Sequence, residues 1–146
     1  MINIKDKKII AFDIQAQAIS QAKANNSQFN NIEYILDGHE HVTKYVQEQV
    51  KAIIYNLGFL PKGNKNITTL HQTTLDSLDQ AMQLLVVGGR IAIVVYSGHP
   101  EGKIELEKIL STLCILDQKK WEVWMSSFIN QKNNPPQLIV LEKLAL

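Results

Sequence analysis

Apolar and polar positions along this chain alternate between two periods. Residues 8–14 (KKIIAFDI without its first lysine), 32–36, 52–55 and 90–96 are short, nearly continuous apolar blocks, the pattern of buried strands. Between them lie longer stretches with helical spacing. Residues 16–25 place Ala18, Ile19 and Ala22 on one face, and residues 42–50 bring Val42, Tyr45, Val46 and Val50 near helical period. Residues 69–85 predict a long helix with Leu75, Leu78, Met82 and Leu85 as its inner stripe, ended by Gly88-Gly89. Residues 101–113 predict another. Two last strands, 121–128 and 138–141, are joined through Asn133-Asn134-Pro135-Pro136 without room for a helix, so they predict an antiparallel pair. Strands alternating with helices argue for an α/β fold whose mainly parallel sheet is covered on both faces, with the antiparallel pair at one edge.

Composition narrows this picture. The chain has 146 residues, 45% of them hydrophobic, which suits one domain over 1–146. The formal net charge of +1 gives no broad electrostatic footprint for nucleic acid, though a local basic rim would suffice. Cys114 is the single cysteine, which excludes an intrachain disulfide and multi-cysteine zinc sites. Its apolar surroundings predict a small core residue. The start of the sequence lacks the apolar stretch of a secretory signal, and no segment approaches the roughly 20 apolar residues of a membrane span. These features predict a cytoplasmic protein with no membrane partner.

Ligands of open α/β sheets bind beyond the carboxyl ends of the strands, so polar residues there are the candidates. Asp13 ends the first strand. It suits the two hydroxyls of a ribose and equally the cap of the following helix. Asp37-Gly38-His39 ends the second strand and could meet an adenine edge, but a turn with a cap explains it better. Asn56-Leu57-Gly58-Phe59-Leu60-Pro61 follows the third strand. A carboxamide there is out of place as packing. Asn56 Oδ1 and the Leu57 carbonyl could each accept an N–H from an amine, leaving its lone pair aimed at an electrophile, with Phe59 stacked on a base. That is catalysis by position, which can supply roughly 7–11 kcal/mol. Tyr96 and His99 follow the fourth strand. His99 could take a proton from an ammonium substrate, while Pro100 and Glu101 suit the first turn of a helix. The polar loop 128–136 and the scattered Lys62, Lys65, Lys103 and Lys132 read first as solvated surface.

In order along the chain stand Asp13-Ile14-Gln15, the run from Asn56 to Pro61, residues 63–69, Tyr96 with Gly98-His99-Pro100-Glu101-Gly102, and Phe128-Ile129-Asn130-Gln131 with Pro135-Pro136. This ordered set resembles the small bacterial class I S-adenosylmethionine-dependent methyltransferases labelled rRNA methylases, which are associated with methylating the amine of 5-aminomethyl-2-thiouridine at the tRNA wobble position. The resemblance implies a Rossmann-like sheet with strand order 3-2-1-4-5-7-6 and S-adenosyl-L-methionine as the methyl donor. It also implies a cofactor side formed by Asp13, Gln15, Asp37, Gly38, His39, Asn56 and Leu57, a catalytic side formed by Asn56, Phe59, Tyr96 and His99, and the anticodon region of tRNA as substrate. The family begins with a strand, a glycine-rich loop and a helix, whereas this sequence has no glycine before Gly38. The expectation is therefore a sheet whose first βα unit is missing, two neighbouring strands with unpaired edges that a homodimer could cover, and weak binding of the cofactor. Ribosomal RNA or another amine as substrate, and a non-catalytic nucleotide- or RNA-binding module, are the alternatives.

Overall fold

A computed structural model of the chain describes residues 7–57 and 71–146. The elements follow in order as β1 (Ile9–Asp13), α1 (Ala16–Asn25), β2 (Ile32–Leu36), a 3-10 turn (His39–His41) running into α2 (Val42–Tyr45), and β3 (Val50–Asn56). Then come α3 (His71–Leu84), β4 (Leu85–Val95), α4 (Pro100–Leu113), β5 (Trp121–Ser126) and β6 (Gln137–Lys143). The strands form two sheets. β1 and β2 pair in parallel; β3, β4, β6 and β5 form a four-stranded sheet in that order, parallel between β3 and β4 and antiparallel elsewhere. Among the described residues β1 and β3 each keep one open edge, as the strand order expected from the sequence requires.

The core lies between the four-stranded sheet and the pair α3 and α4. Ile91, Ile93 and Val95 of β4 and Ile139 and Leu141 of β6 are fully buried against Leu78, Ala81, Ile109 and Leu113 of the helices. Both helices sit on this one face. Among the described residues nothing covers the other, so the expected double cover is not realised for this sheet. α3 also joins the two sheets. The Gln80 carboxamide donates to the Glu40 carbonyl at 2.7 Å and accepts from the Thr43 hydroxyl at 2.7 Å. Lys143, from β6, turns its ammonium onto the Met82 and Leu85 carbonyls at 3.2 and 2.9 Å, where α3 ends and its carbonyls lack helical partners.

Several boundaries differ from those predicted, for physical reasons. α1 and β2 fall where expected. The helix expected over 42–50 stops at Tyr45, because Val50 is taken by β3 pairing with Leu85 of β4. The glycines at 88 and 89 do not end α3. The strand starts at Leu85, and Gly88, with φ +74°, supplies the irregularity that shifts the β3–β4 register. The inner stripe of α3 is rotated: Thr74, Ser77, Leu78 and Ala81 are its buried residues, while Leu75 and Met82 are only half-buried. Cys114 is exposed, beyond the end of α4, rather than in the core. Among the described residues no helix is long and apolar enough to cross a membrane.

Candidate active site

The carboxyl ends of the strands meet at one rim. Asp13 pairs with Leu36 at the end of the small sheet, and Asn56 pairs with Val94 at the end of the large one. The turn after β2 brings these ends together. The His39 ring lies edge-on to that of Tyr55, the penultimate residue of β3, with centroids 5.9 Å apart. Beneath it the Ser77 hydroxyl donates to the His39 carbonyl at 2.8 Å and lies 2.7 Å from the Tyr55 hydroxyl. Because Ser77 spends its proton on His39, Tyr55 is the donor in that second bond. Burial pushes the Tyr55 phenol up to about 12 and holds the His39 imidazole below its usual range.

At the small sheet, Asp13 Oδ1 accepts the Gln15 N–H at 2.7 Å, which fixes the carboxylate at the entry of α1. Asp37 is more heavily used by its own surroundings. It accepts from Tyr45 at 2.7 Å, from the Gly38 N–H at 2.8 Å and contacts His41 Nδ1 at 2.9 Å, with Lys44 at 3.6 Å. The Tyr45 hydroxyl, then His41 and the Gly38 amide, hold its carboxyl well below the usual carboxylate range. This is the bonding of a turn-forming aspartate, and it leaves His39 and the loop backbone as the groups of this corner with capacity to spare. His39 Nε2 is buried without a hydrogen-bond partner among the described residues.

At the large sheet, Asn56 is exposed at the last position of β3, and Leu57 is buried with its N–H on the Val94 carbonyl at 3.0 Å. Tyr96 is exposed immediately after β4. His99 caps α4 by accepting the Gly102 N–H on Nδ1 at 3.1 Å. The same nitrogen lies 3.3 Å from Glu101 Oε2. One nitrogen cannot accept from Gly102 and donate to Glu101 together. The tautomer with its proton on Nε2 makes the cap. Gly102 is what lets this corner close: a Cβ there would overlap the Tyr96 carbonyl oxygen and come within 3.1 Å of the His99 ring. The loop between β5 and β6 reaches the same corner, since a Cβ on Gly98 would lie 3.7 Å from the Asn134 carbonyl oxygen. Phe59, expected to stack on a base, lies outside the described residues.

The rim thus brings Asp13, the 37–39 turn, Asn56, Leu57, Tyr96 and His99 to one side of the molecule. It also contains groups that spacing did not single out. Glu105 is 3% exposed inside α4 and accepts a 2.7 Å hydrogen bond from Thr74 of α3; burial pushes its carboxyl up. Their signal was present as two polar residues at inward positions of predicted helices. Ser77 and Gly102 could be found only from the three-dimensional contacts.

Comparison with known proteins places this geometry. A family described as "Putative rRNA methylase" matches residues 9–142. A solved structure from Clostridium thermocellum, described as a "putative rRNA-methylase", is 42% identical and superposes with a TM-score of 0.89 over 94% of this chain and 75% of its own. A "putative methyltransferase" from Streptococcus mutans, solved in complex with SAH, is 37% identical with a TM-score of 0.84 over 94% of this chain and 76% of its own. The chloroplastic tRNA (mnm(5)s(2)U34)-methyltransferase of Arabidopsis thaliana is 37% identical over 109 residues, 69% of this chain. This chain spans only 40% of the length of that plant protein. The fold is the Rossmann-like α/β fold of methyltransferases, mostly parallel with an antiparallel strand pair.

Proposed function

Because the chain belongs to the rRNA methylase family, we propose that it is an S-adenosylmethionine-dependent RNA N-methyltransferase whose substrate is the aminomethyl group of 5-aminomethyl-2-thiouridine at the wobble position of tRNA. The observation that carries this reading is Asn56 at the carboxyl end of β3, exposed on a rim shared with Asp13, Tyr96 and His99. The S. mutans relative solved with SAH and the plant relative named as a wobble-uridine methyltransferase support the cofactor and the substrate.

The residues present fit a nucleoside cofactor on the Asp13 side. An acidic group at the end of β1, anchored through one oxygen, suits ribose hydroxyls. The unspent His39 Nε2 suits a polar edge of the base. Asp37 shapes that loop through its turn bonds. When bound, the cofactor supplies an electrophilic methyl group. The chain's own task is to present a neutral amine. Asn56 Oδ1 and the Leu57 carbonyl accept the amine N–H groups, so the lone pair faces the donor. Neutral His99 takes the proton released by the product ammonium, exchanging its Gly102 cap for the Glu101 carboxylate.

Deleting the coding sequence in its own organism and measuring tRNA nucleosides by mass spectrometry tests this. The expected result is accumulation of 5-aminomethyl-2-thiouridine, restored by the wild-type chain and not by Asn56→Ala. An unchanged ratio of aminomethyl to methylaminomethyl nucleoside refutes the substrate. Restoration by Asn56→Ala refutes the site.

A further inference from the structure

β5 closes one end of the four-stranded sheet, and among the described residues nothing pairs with its outer edge. The hydrogen bonds on its inner side show what that edge offers. Leu144 donates to the Lys120 carbonyl at 2.7 Å, in the same register that sets Trp121 against Lys143. Even-numbered residues of β5 therefore bond to β6, and the N–H and C=O groups of Val123 and Met125 point outward. Edge strands are usually blunted by lysine, proline or a bulge. β5 has none of these, and Glu122 is its one charge.

Two apolar features flank this edge. Leu110, Leu113 and Leu116, at the end of α4 and just beyond it, line an open groove of about 300 Å³ with Trp121, Val123 and Met125 of β5. Met125 is 47% exposed, and Ile115, beside the groove, is 83% exposed. Past the carboxyl end of the strand, Ile129 is 99% exposed. The chain thus carries an empty apolar groove at one end of β5 and an uncovered apolar side chain beyond the other.

We infer that this edge docks a second copy of the chain, β5 pairing antiparallel with β5 across a two-fold axis. Self-pairing must set residues of one face opposite each other and bring the outward groups of Val123 and Met125 together. A two-fold through Trp124 meets both conditions. Val123 of each copy then exchanges two hydrogen bonds with Met125 of the other. Trp124 faces Trp124 in a non-hydrogen-bonded pair, where opposite side chains stand closest. Glu122 falls opposite Ser126, so no like charges meet, whereas a two-fold through Val123 would set Glu122 against Trp124. The same axis carries the chain beyond β5 of each copy toward the Leu116–Trp121 end of the other's groove, where Ile129 finds apolar cover. An interface that holds both the side chain and its groove closes after two copies. It takes in about 17 residues per copy, or roughly 900–1,300 Å² in total at the usual 800 Å² for 20–30 residues a side. That is the lower end of specific interfaces and corresponds to a Kd of about 1–100 µM. Docking also bears on the rim, because the segment it holds runs on to Asn134, whose carbonyl lies beside Gly98.

Sedimentation velocity of the 146-residue chain from about 1 to about 500 µM is the first test. A reversible monomer–dimer equilibrium is expected. Amide exchange followed by NMR should slow at Val123 and Met125 as the dimer forms, while Glu122 and Trp124, already bonded to β6, change little. Met125→Pro removes an outward N–H and no β5–β6 bond. Ile129→Asp changes a side chain that the monomer leaves in solvent. Each should weaken the dimer about tenfold or more, and Ile129→Asp should leave the Tm of the monomer unchanged. Three results overturn the inference: a monomer at the highest concentration, a dimer that Ile129→Asp leaves at full strength, or slowed exchange at β1 or β3 in place of β5. None of these readouts depends on methyl transfer.

Discussion

The bonds between Tyr55, Ser77 and His39 hold the two sheets together at the rim, and their strength can be measured. Tyr55 is 7% exposed and Ser77 is fully buried, so neither hydroxyl has water as a substitute partner. Tyr55→Phe removes one neutral hydrogen bond and leaves Ser77 donating to His39, a cost of about 0.5–1.5 kcal/mol. Ser77→Ala strands the Tyr55 phenol at about 1–3 kcal/mol and removes one of two bonds to the His39 carbonyl, which keeps the Val42 N–H, at about 0.5–1.5 kcal/mol. The double variant loses the bond to the carbonyl but strands no phenol. It should therefore lose less than the sum of the two singles, with a coupling of roughly 1.5–4.5 kcal/mol. Urea unfolding followed by tryptophan fluorescence measures all four proteins. The phenol adds a pH signature. Its folded value of about 12 lies above the ordinary 10. The stabilisation is complete below pH 10 and is lost as pH rises from 10 through 12, a total of roughly 2–3 kcal/mol. Tyr55→Phe should lack that alkaline loss. Costs that add within about 0.5 kcal/mol, or equal alkaline slopes, would refute the network.

Gly102→Ala should cost about 1–3 kcal/mol by overpacking against the Tyr96 carbonyl and should impair methyl transfer by moving His99; the Tm and the tRNA nucleoside ratio check both. Burial raises the Glu105 carboxyl, so its contribution is fully present below the usual carboxylate range and is lost as pH rises through the raised folded value. Glu105→Gln should match wild type near pH 4 and exceed it in Tm at pH 8, and a gap independent of pH would count against this assignment. Lys143→Met keeps the stem but strands the Met82 and Leu85 carbonyls, an expected loss of about 1–3 kcal/mol in urea unfolding.

Those contacts also explain which parts of the fold could be read in advance. α1 and β2 were legible because each is bounded by turn residues and carries one unmixed period. The start of β4 was not. Leu85, Val86 and Val87 continue the apolar run of α3, and only pairing with Val50 makes Leu85 a strand residue. α2 is shorter than its apolar spacing predicts for the same reason, since Val50 suits either period until a neighbouring strand claims it. Thr74, Ser77 and Glu105 sit on inward helix faces where periodicity expects hydrocarbon, because their hydroxyl and carboxyl groups find partners on other elements. A one-dimensional pattern cannot supply those partners.

The rim shows the same division. Asn56 and Asp13 were legible as polar residues ending apolar blocks, and the fold brings them to one side of the molecule. What periodicity could not show is that they belong to different sheets, on opposite sides of an open seam. Parallel sheets gain stability when both faces and both edges are covered. Among the described residues, the exposed Ile54 and the open edges of β1 and β3 lie between the cofactor-side candidate Asp13 and the amine-side candidate Asn56, so the pairing of the strands, and not their apolar pattern, decides how far apart the two candidates stand.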